Sequence, residues 1–396
     1  MNVATRFAVG LASAGHLLCH GAQILLMHGQ SETAAQFEVG VTDVAWAITA
    51  FSLGMGLTSV PAGLATDRWG PARLLNVYFA LVAAAALLCG IAPSFAVFFA
   101  AHALLGAAAG IYHPAGLGLI SFASTREDLG PALGIHGVFG NLGAAAAPAL
   151  VFGMHAWSDV RGAFFAVALL AAISAAVTVA LRRRGLVTDR ALAIVTPRRA
   201  PGRRSGLAAL LVAMSLNGFL FLGFMTLFPE TLKARGGSAW EPGWISVGIL
   251  ALGGVGQYVG WLVSRGGQEG HRYAWMLLVQ PVLLLAMASV LARGSGHAGA
   301  LPIVLFAAFS FLNYMTQPIE NHLVAAYTST VRRGAAFGMK FLANMVVGAP
   351  AAGIAAALAE RSGAPAAYGL LAGVGVVGLA GGVWFLRSAR VDVATG

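Results

Sequence analysis

The chain has 396 residues, of which 58% are hydrophobic and only 10% charged, with a mean hydropathy of +0.80. A soluble domain carries roughly 25% charged residues, so this composition excludes a surface that faces water over most of its area. The net charge of +10 would point to nucleic acid in a soluble protein. Here the basic residues stand in short segments between apolar runs, where membrane topology accounts for them.

Runs of the length that crosses a hydrocarbon core, about 20 residues, recur at roughly 5–29, 40–64, 73–92, 95–122, 130–154, 161–181, 206–231, 240–264, 273–293, 300–326, 334–359 and 366–387. The first run contains His16, His20 and Gln23 and has no small-residue cleavage site, so it reads as a retained helix and not as a signal peptide. Connections as short as Ala92-Pro93-Ser94 make neighbouring helices antiparallel. Cys19 and Cys89 lie inside apolar runs, with no disulfide or zinc-finger spacing. The 52 glycines sit beside Ala and Ser within the runs, which is how helices pack closely in lipid.

Charge sets the expected orientation. With both termini placed in the cytoplasm, 18 of the 24 Lys and Arg fall on the cytoplasmic side. Five fall on the other side (Arg161, Lys233, Arg235, Arg293 and Arg361), and Lys340 lies within a span. The positive-inside rule therefore predicts cytoplasmic termini. The segment 182–205 holds eight Arg and two Pro without apolar periodicity. It reads as a basic cytoplasmic linker between residues 1–181 and 206–396, with anionic lipid as its expected partner and no nucleic acid.

The two halves look like a repeat. A shift of 204 residues places His113-Pro114 on Gln317-Pro318, Gly134 on Gly338 and His136 on Lys340. A shift of 197 places Gly63, Arg68 and Gly70 on Gly260, Arg265 and Gly267, with Ser264 at the place of Asp67. The fold class predicted is an all-α membrane protein of twelve transmembrane helices in two pseudo-symmetric six-helix bundles. Parallel six-helix repeats are a transporter architecture.

The loop expected after the second run reads Gly63-Leu64-Ala65-Thr66-Asp67-Arg68-Trp69-Gly70-Pro71-Ala72-Arg73. It resembles the signature of the major facilitator superfamily between helices two and three. Ala65 replaces the usual leucine, and Pro71 and Ala72 replace the usual basic pair, with Arg73 one place later. The resemblance implies the major facilitator fold over essentially the whole chain. It also implies a conformational latch built from Gly63, Asp67, Arg68, Gly70 and Arg73, in which Asp67 meets the N-terminus of the eleventh span near Gly334. An anion is favoured at a helix N-terminus by the free N–H groups and the dipole. Gly110-Ile111-Tyr112-His113-Pro114 and Gly134-Ile135-His136-Gly137-Val138-Phe139-Gly140-Asn141 resemble the fosmidomycin-resistance-like branch, which implies export of drugs or metabolites against protons.

Polar and ionisable side chains inside spans are costly and mark cavities or ion pathways. His16, His20 and Gln23 share one face of the first helix through i, i+4, i+7 spacing. His113, His136 and Asn141 lie in the fourth and fifth spans, and Gln317, Glu320, Asn321 and Lys340 in the tenth and eleventh. Glu320 and Lys340 sit at similar depths, so a pair between them is expected. These ten residues are the candidates for the solute cavity or for proton coupling. Each also has a plainer reading: a static ion pair, a histidine on a carbonyl freed by Pro114, or satisfied packing.

No Gly-x-x-x-x-Gly-Lys-Ser/Thr loop and no nucleophile–base pair stands out, so neither ATP nor enzymatic catalysis is expected. The reading is a monomeric, proton-linked secondary transporter of a small solute in the cytoplasmic membrane, without a cofactor. The alternative uses the histidines for metal, because His at i, i+4 with His113 or His136 is a ligand set for a soft divalent ion. That alternative is a metal-ion transporter, or a membrane metal enzyme or sensor.

Overall fold

The computed structural model describes residues 1–155, 159–189, 204–234, 241–264, 268–294, 300–327 and 333–394. Among them, twelve helical stretches are long and apolar enough to cross a membrane. The linker residues 190–203 lie outside the described residues, as do Arg265 and Gly267 of the second motif copy.

Contacts divide the chain into two units, Met1–Thr196 and Pro197–Gly396. The first contains α1 (Val3–His28), α2 (Gln30–Phe37), α3 (Val41–Trp69), α4 (Pro71–Ile91), α5 (Phe95–Ala109), α6 (Tyr112–Ala123), α7 (Arg126–His155) and α8 (Arg161–Arg183). The second contains α9 (Arg204–Lys233), α10 (Glu241–Val263), α11 (Glu269–Ala292), α12 (Leu301–Tyr327), α13 (Arg333–Gly348), α14 (Pro350–Ser362) and α15 (Ala364–Ala394).

The spans expected from apolar runs differ from these helices in three ways. The motif expected as a loop is helical except at Gly70, because α3 runs on to Trp69 and α4 begins at Pro71. The fourth and eleventh spans are each broken in two. Pro114, near the start of α6, and Pro350, at the start of α14, have no N–H to continue the helical ladder behind them. In addition, 30–39, expected as a connection, contains the short helix α2, closed by Glu38 in the left-handed conformation (φ 54°).

The helices pair alike in both units. The first span packs on the fifth (α1 on α7), the second on the fourth (α3 on α5) and the third on the sixth (α4 on α8). The same order gives α9 on α13, α10 on α12 and α11 on α15. Glycine permits the closest of these crossings. Gly106 of α5 and Gly110 at its C-terminal cap lie against the backbone of Phe51 and Met55 on α3, and Gly143 of α7 against Leu17 on α1. In the second unit, Gly256 and Gly260 of α10 lie against Phe311 and Met315 on α12, and Gly218 of α9 against Asn344 and Gly348. In lipid no hydrophobic force drives helices together, so this close approach is a main source of cohesion.

The outer faces are apolar. On α8, Leu169, Leu170, Ile173 and Val177 are all exposed. In water such a stripe would mark an interface or a liability; in a bilayer it is the ordinary lipid face, since helices satisfy their own backbone groups.

Candidate functional site

The first unit gathers four histidines. His16 and His20 project from α1, His113 from α6 and His136 from α7. The His16 and His136 rings stack, with centroids 4.2 Å apart and planes 11° from parallel. Tyr112 stacks near His16 at 5.4 Å. His20 lies 4.8 Å from His16, and His113 lies 5.6 Å from both. Gly140 makes room for this packing, because a Cβ at that position would overlap the His16 ring.

Hydrogen bonds orient the rings. His16 Nδ1 lies 2.9 Å from the His136 carbonyl oxygen, and His20 Nδ1 lies 3.1 Å from Gln23 Oε1. The Tyr112 hydroxyl donates to the Ala12 carbonyl at 2.6 Å and lies 3.2 Å from His136 Nδ1. With its only proton on Ala12, that hydroxyl can bond His136 only as an acceptor. The face shared by His16, His20 and Gln23 is therefore present as expected. His113, rather than His136, completes the group whose ring nitrogens converge: one nitrogen from each of His16, His20 and His113 lies within 4.8 Å of the others. Asn141, on α7, is half-buried and donates to Gly137 O at 3.5 Å.

The second unit holds a buried ion pair in a network of amides and hydroxyls. Glu320 Oε2 and Lys340 Nζ are 3.1 Å apart, with side chains 2% and 4% exposed. Glu320 Oε1 accepts from Tyr273 at 3.0 Å and from Asn217 at 3.1 Å. Asn217 also donates to Thr316 at 3.0 Å. Asn313 donates to Asn217 at 3.1 Å and to Gln280 at 2.9 Å. Lys340 donates to Asn321 at 2.7 Å, while Gln317 is half-buried on α12. Three donors thus converge on one carboxylate, as a buried charge requires.

Asn217, Tyr273, Gln280, Asn313 and Thr316 were not among the residues expected from the sequence. An isolated amide in an apolar span is the signal that would have found Asn217, Gln280 and Asn313. The charged residues drew attention first, although a buried amide needs partners just as strictly.

At the motif, Gly63 is buried on α3, and Asp67, Arg68 and Arg73 are exposed. Gly70 joins α3 to α4 at φ +90°. As the N-cap of α4 it has no side chain to offer, and Asp189, at the far end of the unit, supplies the missing acceptor. Its Oδ1 accepts from Ala72 N at 2.8 Å and Arg73 N at 3.2 Å. Arg182 and Arg73 lie 3.2 and 3.7 Å from its Oδ2. Asp189 is the sole acidic residue of 182–205, which was the available signal. Loss of this cap through Asp189→Ala is expected to cost about 1 kcal/mol. Gly70→Ala is expected to cost more, because the new Cβ meets both the positive φ and the Asp189 side chain. Thermal unfolding of the two variants in detergent checks the order.

The riboflavin transporter RibZ of Clostridioides difficile (strain 630) is 26% identical over 117 residues, covering 30% of this chain and 26% of that protein. The puromycin resistance protein pur8 of Streptomyces alboniger is 34% identical over 115 residues, covering 28% and 23%. The chain thus spans about a quarter of the length of these curated relatives. Among solved structures, a D-xylose–proton symporter superposes with a TM-score of 0.77 at 11% identity, covering 94% of this chain and 96% of that one. A bacterial homologue of the human lysosomal transporter Spinster, inward-facing and occupied, superposes with a TM-score of 0.73 at 14% identity, covering 98% of each. At such identities the likeness speaks to the fold. With residues 12–352 matching the family model, the chain belongs to the Major Facilitator Superfamily.

Proposed function

We propose that the protein is a secondary transporter that exports a small organic drug or metabolite by alternating access in exchange for protons, in the manner of the fosmidomycin-resistance-like branch. It works as a monomer in the cytoplasmic membrane with both termini and the basic linker inside, and it is not an enzyme. Asp67, Arg68 and Arg73, with Gly63 and Gly70, serve the conformational latch. His16, His20, Gln23, His113, His136, Asn141, Gln317, Glu320, Asn321 and Lys340 line the cavity or couple it to protons.

The observation that carries this reading is the buried Glu320–Lys340 pair among neutral donors. A solute whose cationic or donor group binds the ionised Glu320 carboxylate in place of Lys340 is released when Glu320 takes a proton, so that proton and solute occupy the site in turn, as exchange requires. The cycle then needs only a proton gradient. The names of the relatives, for puromycin resistance and riboflavin transport, support small organic cargo.

Everted membrane vesicles from cells producing the protein test it, with puromycin, riboflavin and fosmidomycin as probes. Respiration is expected to drive accumulation of at least one probe, a protonophore to stop it, and Glu320→Gln to reduce it to the level of vesicles lacking the protein. Accumulation indifferent to both the protonophore and Glu320→Gln would sink the coupling.

A further inference from the structure

We propose that His16, His20 and His113 form a binding site for a late first-row divalent cation of the Zn2+ class. Two ligands one turn apart on α1 and a third from α6 bring a ring nitrogen each within 4.8 Å of the others. Around a tetrahedral Zn2+ with bonds of about 2.0–2.1 Å, ligand nitrogens stand about 3.4 Å apart. The rings therefore need to close by at most about 1.4 Å.

Hydrogen bonds also fix which ring nitrogen is available. The His136 carbonyl facing His16 Nδ1 and the Gln23 Oε1 facing His20 Nδ1 are both pure acceptors. Each Nδ1 must carry the proton, so each neutral ring has its lone pair on Nε2. This is the arrangement that prepares an imidazole for a metal: the second N–H is donated to an oxygen, which fixes the tautomer and the ring plane. Stacking on His136 and the space above Gly140 hold His16 further in place.

The set offers imidazole nitrogen alone, which suits zinc, copper, nickel or cobalt and disfavours magnesium and calcium. Three neutral ligands leave a fourth position for water or another donor. The site goes beyond the exchange of solute for protons proposed above and does not depend on it.

Cobalt is the probe. Full-length purified protein, stripped of metal in detergent, is titrated with Co2+ and followed by visible absorption. The expected result is one saturable Co2+ per chain, with the intense bands of a four-coordinate site and displacement by Zn2+. His20→Ala and His113→Ala should each abolish those bands. Gln23→Leu keeps all three ligands and removes one orienting acceptor, so its affinity should fall about 10–100-fold. His322→Ala, at an exposed site, should change nothing. Saturable binding that survives both His20→Ala and His113→Ala, or no saturable binding in the native protein, overturns the proposal. If His16→Ala fails to fold, the variants of the half-buried His20 and of Gln23 still decide it. The readout is metal binding, so a protein that exports without binding Co2+ counts against this site alone. One that binds Co2+ without exporting counts against the transport reading alone.

Discussion

Replacing Glu320 by Gln is expected to destabilise the protein by about 3–5 kcal/mol, the cost of leaving the other member of a buried ion pair uncompensated. Lys340 is only 3% exposed, so water cannot take over from the lost carboxylate. Lys340→Met should cost a similar amount, because Glu320 would keep only the neutral donors Tyr273 and Asn217. The double variant Glu320→Gln/Lys340→Met removes both charges and should regain most of the loss. Unfolding of the four proteins in detergent gives the coupling directly, and additive losses would show that the pair does not organise the site. The same variants separate two roles. A static pair predicts that the restored double variant still transports with the gradient. A coupling pair predicts a stable protein that no longer does.

The second large effect is expected from a single methyl group at a helix crossing. Gly106→Ala places a Cβ inside the contact surface of Phe51, against its carbonyl and Cα. Those are backbone atoms of α3, which cannot rotate aside as a side chain does. The crossing must open, at an expected cost of about 1–3 kcal/mol or more. Gly256→Ala and Gly260→Ala, against the backbones of Phe311 and Met315, should behave alike, since the α10–α12 crossing repeats the α3–α5 crossing. Gly134→Ala and Gly137→Ala are the controls. A Cβ at either position meets nothing within 4 Å, and Ala favours the helix by about 0.5–1 kcal/mol. Those two should be neutral or slightly stabilising. A thermal-unfolding series that failed to separate the two groups would show that glycine packing does not hold these helices together.

The spans and their repeat were legible from the chain, because apolar length is a local property and twelve long runs admit few alternatives. The same holds for residues that share a helix face. His16, His20 and Gln23 follow from spacing, and the structure brings them together. The Glu320–Lys340 pair was also within reach, since similar depth in neighbouring spans leaves two opposite charges little choice.

What the chain could not reveal depends on atoms from distant segments meeting. The α4 N-terminus takes Asp189 from the far end of the unit, a partner not named from the sequence, because Gly70 at the cap has nothing to donate or accept with its side chain. The choice between His113 and His136 as third partner was open in the sequence. In the structure the His136 backbone takes His16 Nδ1 and its ring stacks on His16, while a ring nitrogen of His113 converges with those of His16 and His20. The amide network of Asn217, Gln280 and Asn313 is of the same kind. Apolar periodicity says that a helix crosses the membrane, and a polar residue within it says that a partner must exist. Which partner it is depends on the rotation and depth of helices packed through glycine, and these are properties of the assembled bundle.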